Sequence, residues 1–183
     1  AELLGGQGRV VMLRYQEGSA STMNREQGFL DAMAEYDGIE VVSANQYGGA
    51  TTETAYRASE NLLAPLKEDG ALTVDGIFCP NESTTFGMLR ALQDAGLAGR
   101  VTFVGFDSSE KLVDALAAGE LHGLVLQDPV NMGYLGVKTL VRHLRGEPVE
   151  KRIDTGSTVA TRENMDDPEV TALLKPDFAK WLE

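Results

Sequence analysis

One feature limits what this chain can fold into more than any other. Along most of its 183 residues, short apolar, β-branched runs alternate with longer segments of helical period. RVVMLRY (9–15) comes first. STMNREQGFLDAMAEY (21–36) follows, with Met23, Phe29, Leu30, Met33 and Ala34 on one helical stripe. IEVVSAN (39–45) precedes a helix over TTETAYRASENLLAPLKE (51–68), which Pro65 ends or kinks. VDGIFCP (74–80) precedes a helix capped by Asn81 and closed by Gly96. VTFVGF (101–106) leads into SEKLVDALAAG, and LHGLVLQ (121–127) into a helix with Pro129 in its first turn and Gly146 at its close. KRIDTGSTVATREN (151–164) reads as extended, and DPEVTALLKPDFAKWLE (167–183) as a terminal helix broken at Pro176. The opening AELLGGQG reads as the end of a helix closed by glycine. Successive β–α units predict an α/β fold, a doubly wound parallel sheet with helices on both faces.

Charge narrows the partners. The net charge is −12, from 28 acids and 16 bases. No Lys/Arg cluster is present that could follow a phosphate backbone, which argues against nucleic acid or an anionic membrane surface as a direct partner. Cys79 is the single cysteine and lies in an apolar run, so it reads as a small core residue rather than a reactive thiol. No run reaches the roughly 18 apolar residues that a membrane helix needs.

In an open α/β sheet, ligands sit beyond the carboxyl ends of the strands. The residues after each apolar run are therefore the candidates. Gln16, Glu17, Gly18 and Ser19 follow the first, with Arg25 in the next helix's opening turns. Asn45, Gln46 and Tyr47 follow the second, Pro80 and Asn81 the third, Asp107 (after Phe106) the fourth, and Gln127 and Asp128 the fifth. Planar amides, carboxylates and guanidinium can each engage neighbouring hydroxyls, and Tyr47 and Phe106 offer flat faces suited to the C–H side of a sugar ring. The duller readings are helix capping for Asn81 and Asp107, a surface charge for Arg25, a turn for Gln127 and a surface aromatic for Tyr47.

Catalytic readings find little support. His122 falls within a strand and His143 near a helix end, and one cysteine does not make a usual zinc site. GFDSS lacks the second glycine of a nucleophile elbow, and no phosphate-binding P-loop pattern occurs. Glu17 and Asp107 as an acid–base pair rest on no known distance. The expectation is a non-enzymatic protein with no cofactor and no metal.

NREQGF (24–29), IFCPNESTTFGMLRAL (77–92), VTFVGFDSSE (101–110), AGELHGLVLQDPVNMGYLGVKTL (118–140) and LRGEPVEKRIDTG (144–156) together resemble the ribose-type periplasmic sugar-binding proteins of ABC transporters. These are type I periplasmic binding proteins, related to the effector domains of LacI-like repressors. The resemblance implies a flavodoxin-like lobe and non-catalytic capture of a sugar or polyol between two lobes. It implies an ABC permease as partner and a periplasmic location, with a LacI-like effector region as the alternative. It implies ligand-binding roles for Arg25, Asn81, Asp107 and Gln127, with Tyr47 and Phe106 beside them. It further implies that residues 1–127 and about 157–164 form the second lobe, that 128–156 cross back to complete a first lobe whose body lies outside this chain, and that 165–183 extend past the shared core. The helix over 129–145, with Val130, Leu135, Val137, Leu140, Val141 and Leu144, is then expected either to repack on its own sheet or to pair with a second copy.

Overall fold

The structure, a computed structural model, describes residues 1–177. The elements follow the alternation closely. They are β1 (Gln7–Arg14), α1 (Ala20–Met33), β2 (Gly38–Tyr47), α2 (Thr52–Leu63), β3 (Lys67–Glu68), β4 (Ala71–Leu72), β5 (Gly76–Phe78), α3 (Glu82–Asp94), β6 (Thr102–Phe106), α4 (Glu110–Ala118), β7 (Gly123–Leu126), α5 (Pro129–Leu144), β8 (Thr158–Ala160) and α6 (Pro168–Leu174). Before β1, a 3₁₀ turn at Glu2–Leu4 ends on Gly5 in the left-handed conformation, φ 62°. The rest of the expected terminal helix, residues 178–183, lies outside the described residues.

One helix is shorter than its period suggests. α2 stops at Leu63 rather than running to residue 68, and Pro65 sits in a 3₁₀ turn over Ala64–Leu66. Proline lacks the N–H that the next α-helical turn needs. The chain then forms the β3–β4 hairpin, whose turn places Asp69 (φ 50°) and Gly70 (φ 80°) in the positive-φ region that a tight hairpin demands.

β2, β1, β5, β6, β7 and β8 form one six-stranded sheet in that order. All neighbours are parallel except β8, which returns antiparallel to β7. Leaving the small hairpin aside, this is the flavodoxin-like order, with its direction reversing between β1 and β5. Right-handed crossovers then fix the layers. The step from β1 to β2 runs one way and puts α1 on one face. The steps from β2 through β5 and β6 to β7 run the other way and put α2, α3 and α4 on the opposite face.

The two faces are unequal. The α2–α3–α4 side holds the larger core, with Phe103, Leu13, Leu63, Met88, Leu92, Leu116 and Leu124 sealed from solvent. Val170 and Leu174 of α6 join it, so the segment after residue 165 contributes to this core. The α1 side holds a small cluster of Met12, Phe78 and Phe106 beneath Phe29, whose ring stacks on Phe78 at 4.8 Å between centroids. A groove of about 630 Å3 remains beside α1 on that face. Close packing explains two glycines. A Cβ on Gly105 would enter the side chain of Thr85, and one on Gly87 would lie 2.7 Å from Ala55 and the backbone of Tyr56.

α5 stands apart. No residue of it is buried, and Val137 and Leu144 are 66% and 75% exposed. Of the two outcomes expected for its apolar face, repacking on the sheet is not the one observed.

His122 closes the start of β7. Its Nδ1 accepts the Phe103 N–H at 3.2 Å, while its backbone N–H donates to the Phe103 carbonyl at 2.8 Å. Burial pushes its pKa below the ordinary 6.5. A lowered folded value means that the unfolded chain takes up the proton first as pH falls. The contribution of His122 is complete above about pH 6.5 and is lost as pH drops below it. The urea midpoint should fall between pH 7 and pH 5, and His122→Gln, which cannot titrate, should flatten that part of the fall. An equal slope in both proteins would refute the assignment.

Candidate functional site

The site is built where α1 crosses the carboxyl ends of the strands. The Gln16–Ser19 turn brings the chain off β1 into α1, and the third residue of the helix's second turn faces the sheet edge. That position is Arg25. Its guanidinium donates to the Pro80 carbonyl after β5 at 2.9 Å and to the Gln127 Oε1 after β7 at 2.7 Å. It lies 3.7 Å from an Asp107 carboxylate oxygen at the end of β6. It also lies 3.7 Å above the ring of Phe106. One side chain of α1 thus joins three strand ends.

Asp107 holds an unusual backbone. Its φ is 65°, in the left-handed region that only glycine, asparagine and aspartate enter at low cost. Strained backbone of this kind concentrates at functional positions. A backbone hydrogen bond from Glu82, in the first turn of α3, reaches its carboxylate. Burial raises the Asp107 pKa above the ordinary carboxylate value, and the attraction of Arg25 offsets this only in part. Burial likewise lowers the Arg25 pKa, again against the pull of Asp107. The Arg25–Asp107 separation exceeds a hydrogen bond, so each keeps polar valences for a third party. Guanidinium donors beside amide and carboxylate acceptors can bridge neighbouring hydroxyls.

Asn81 adjoins this group through Pro80, but much of its side chain is committed to the start of α3. Its Oδ1 accepts from the Thr84 N–H at 3.3 Å and the Thr84 hydroxyl at 2.6 Å, and its Nδ2 donates to the Ser83 hydroxyl at 3.1 Å. The capping reading is therefore realised. Phe106 departs from the sequence expectation. It is 7% exposed and its ring carries the Arg25 guanidinium, so it is a platform for the arginine rather than a free face for a ligand. Tyr47 departs as well. It ends β2, two strands from β5, and β1 stands between. Its ring rests 5.7 Å from the Arg14 guanidinium, and its hydroxyl accepts from Arg14 at 3.3 Å. The structure brings Arg25, Asp107, Gln127 and Phe106 together, sets Asn81 beside them and leaves Tyr47 at the far edge of the rim.

Sequence reasoning missed Glu26 and Arg14. Glu26 is 1% exposed, and its Oε1 accepts the Tyr15 N–H at 3.0 Å. Its Oε2 lies 3.6 Å from Arg14. An acid in the opening turns of a helix ordinarily faces solvent, so nothing in the local pattern marks this one as buried. Among the described residues no cluster of His, Cys, Asp and Glu is arranged to hold a metal, and no helix is long and apolar enough to cross a membrane.

A family model described as a periplasmic binding protein domain matches residues 1–148, and the chain belongs to that family. The ribose import binding protein RbsB of Haemophilus influenzae is 33% identical over 153 residues, which is 84% of this chain and 49% of that protein. A xylitol-binding protein of Mycolicibacterium smegmatis is 27% identical over 166 residues, covering 91% of this chain and 46% of the relative. Among solved structures, a carbohydrate transporter solute-binding protein from Agrobacterium radiobacter, in complex with D-arabinose, superposes with a TM-score of 0.83 at 34% identity. The match covers 92% of this chain and 55% of that one. An ABC transporter solute-binding protein from Agrobacterium vitis, bound with α-D-tagatopyranose, gives 0.84 at 30% identity over 95% of this chain and 56% of the other. All are binding proteins by name. The chain spans about half the length of these relatives.

The strain at Asp107 is testable apart from any ligand. Asp107→Asn, which tolerates positive φ, should leave thermal unfolding within a degree or two of wild type. Asp107→Val should lower stability by about 1–3 kcal/mol. Calorimetric melting curves that place the two variants together would contradict the backbone argument.

Proposed function

We propose that this chain carries one lobe's share of a sugar or sugar-like polyol site in a two-lobed, non-catalytic solute-binding protein of an ABC importer. The observation that supports this most is the convergence of Arg25, Asp107 and Gln127 where α1 crosses the strand ends, with both donors and acceptors directed at one rim. A site of this kind rejects ligands without hydroxyls, because its buried polar groups would lose their partners. Relatives that bind ribose, xylitol and D-arabinose by name add weight. An effector region of a regulator shares the fold, but the reported relatives favour transport.

Residues 1–127 and about 157–164 are assigned to this second lobe, and 128–156 to the completion of the first lobe, whose body lies outside the present sequence. The absence of any buried residue in α5 supports the second assignment. α6 amends the expectation for 165–183, since Val170 and Leu174 belong to this lobe's core. The family and the relatives support a periplasmic location and a permease partner for the intact protein.

The test is calorimetry on the full-length product of the gene with D-ribose, D-arabinose, D-allose and xylitol. At least one should bind, and Arg25→Ala should weaken it roughly 10- to 100-fold. No binding of any of these, or tight binding of an amino acid instead, would overturn the reading.

The 183-residue chain by itself is proposed to self-associate through α5. Val130, Gly133, Val137, Leu140 and Leu144 follow one another at spacings of three and four, which gives a continuous apolar seam. Light scattering over a concentration series should show a dimer, and Leu140→Glu should return it to monomer. A strict monomer at all concentrations would refute the pairing.

A further inference from the structure

A fully buried carboxylate with one oxygen that takes no hydrogen bond requires a reason. Glu26 is such a group. Its Oε1 takes one hydrogen bond, its Oε2 takes none, and its side chain is 2% exposed. A buried ion pair adds little net stability over well-packed apolar side chains, so stability alone is a weak reason to keep it. Its location is more telling. Glu26 follows Arg25 directly, so the two side chains leave α1 in different directions and grip different parts of the rim. Arg25 grips the ends of β5, β6 and β7. Glu26 grips the end of β1 through the Tyr15 amide and Arg14.

Arg14 carries that grip onward. Its Nε donates to the Ala44 carbonyl on β2 at 2.7 Å and its fork reaches the Tyr47 hydroxyl. The amides of Gly48 and Gly49 bond the carbonyls of Arg14 and Tyr15 at 2.7 and 2.8 Å. Gly48 has no space for a side chain there, because a Cβ would lie 2.9 Å from Thr84. The opening turns of α1 are therefore tied by one carboxylate to β1 and, through Arg14, to the edge strand β2.

Building on the sugar-site reading, we infer that Glu26 is a positioning residue for Arg25: by fixing α1 to β1 and Arg14 it sets where the Arg25 fork meets the ligand. The expected effects follow from the geometry. A small displacement of a recognition group costs affinity steeply, whereas the fold, whose main core lies on the other face, changes little.

Two variants of the full-length gene product test this. Glu26→Gln keeps an acceptor for Tyr15 and removes the charge. The double variant Glu26→Met with Arg14→Met replaces the pair by apolar side chains and leaves no buried charge unmatched. Two readouts are needed. The first is the NMR resonance of the Arg25 Nε–H, which lies in the ring current of Phe106 and reports its placement without any ligand. The second is calorimetry with D-ribose, D-arabinose, D-allose and xylitol. In both variants the Arg25 resonance should move toward that of an unrestrained arginine, and binding should weaken about tenfold. In an Arg25→Lys background, adding Glu26→Gln should change affinity less than about twofold, since the group being positioned is already altered. An unmoved Arg25 resonance, or an affinity loss equal with and without Arg25, would overturn the inference. If wild type binds none of the four sugars while the resonance still shifts, the positioning stands and the sugar reading falls.

Discussion

Packing α1 against the sheet takes the Arg25 guanidinium out of water, and a buried cation has to be solvated by the protein itself. The carbonyl of Pro80, the amide of Gln127, the carboxylate of Asp107 and the face of Phe106 do this together. Those groups come from three different strand ends and are more than fifty residues apart from Arg25 in the chain. They can meet the arginine only if β5, β6 and β7 are parallel, adjacent and in register. The registers Ile77 with Phe103 and Phe78 with Val104, then Gly105 with Leu124 and Phe106 with Val125, supply that alignment. Asp107, with its left-handed backbone, and the buried Phe106 are both drawn into the shell around that one charge.

Much of the fold was legible because its signals are local. Apolar runs bounded by Asn81, Gly96, Pro129 and Gly146 mark β–α units, and the right-handed crossover rule then distributes the helices. The missed hairpin was also written locally, in the Asp69–Gly70 pair, but the helical period of the preceding segment overrode it. The antiparallel return of β8 was not legible, since the alternation in 151–164 carries no sign of strand direction.

The site was half legible for a related reason. Arg25, Asp107 and Gln127 each follow or flank a strand end, so the sheet rule alone selects them. Phe106 ends its strand beside Asp107, but its contact with the Arg25 guanidinium was not legible, because sequence cannot tell which partner covers a ring. Tyr47 shares the rim in sequence logic, yet strand order, which is a property of the whole sheet, removes it from the cluster. Glu26 was invisible for the opposite reason. Its burial depends on β1 and Arg14 meeting the first turns of α1, and no pattern within α1 records that.

The antiparallel pairing of β7 with β8 has a geometric outcome. Leu126 stands opposite Thr158, so the chain departs from the sheet and comes back to it by neighbouring strands, about 4.8 Å apart. Everything between, α5 included, hangs from two adjacent threads, and Gly156 with φ 71° lies in one of them. Gln127 is the first residue beyond the sheet on the outgoing thread, and its side chain is already held by Arg25. The guanidinium that gathers the strand ends thus also fastens the outgoing thread at its root.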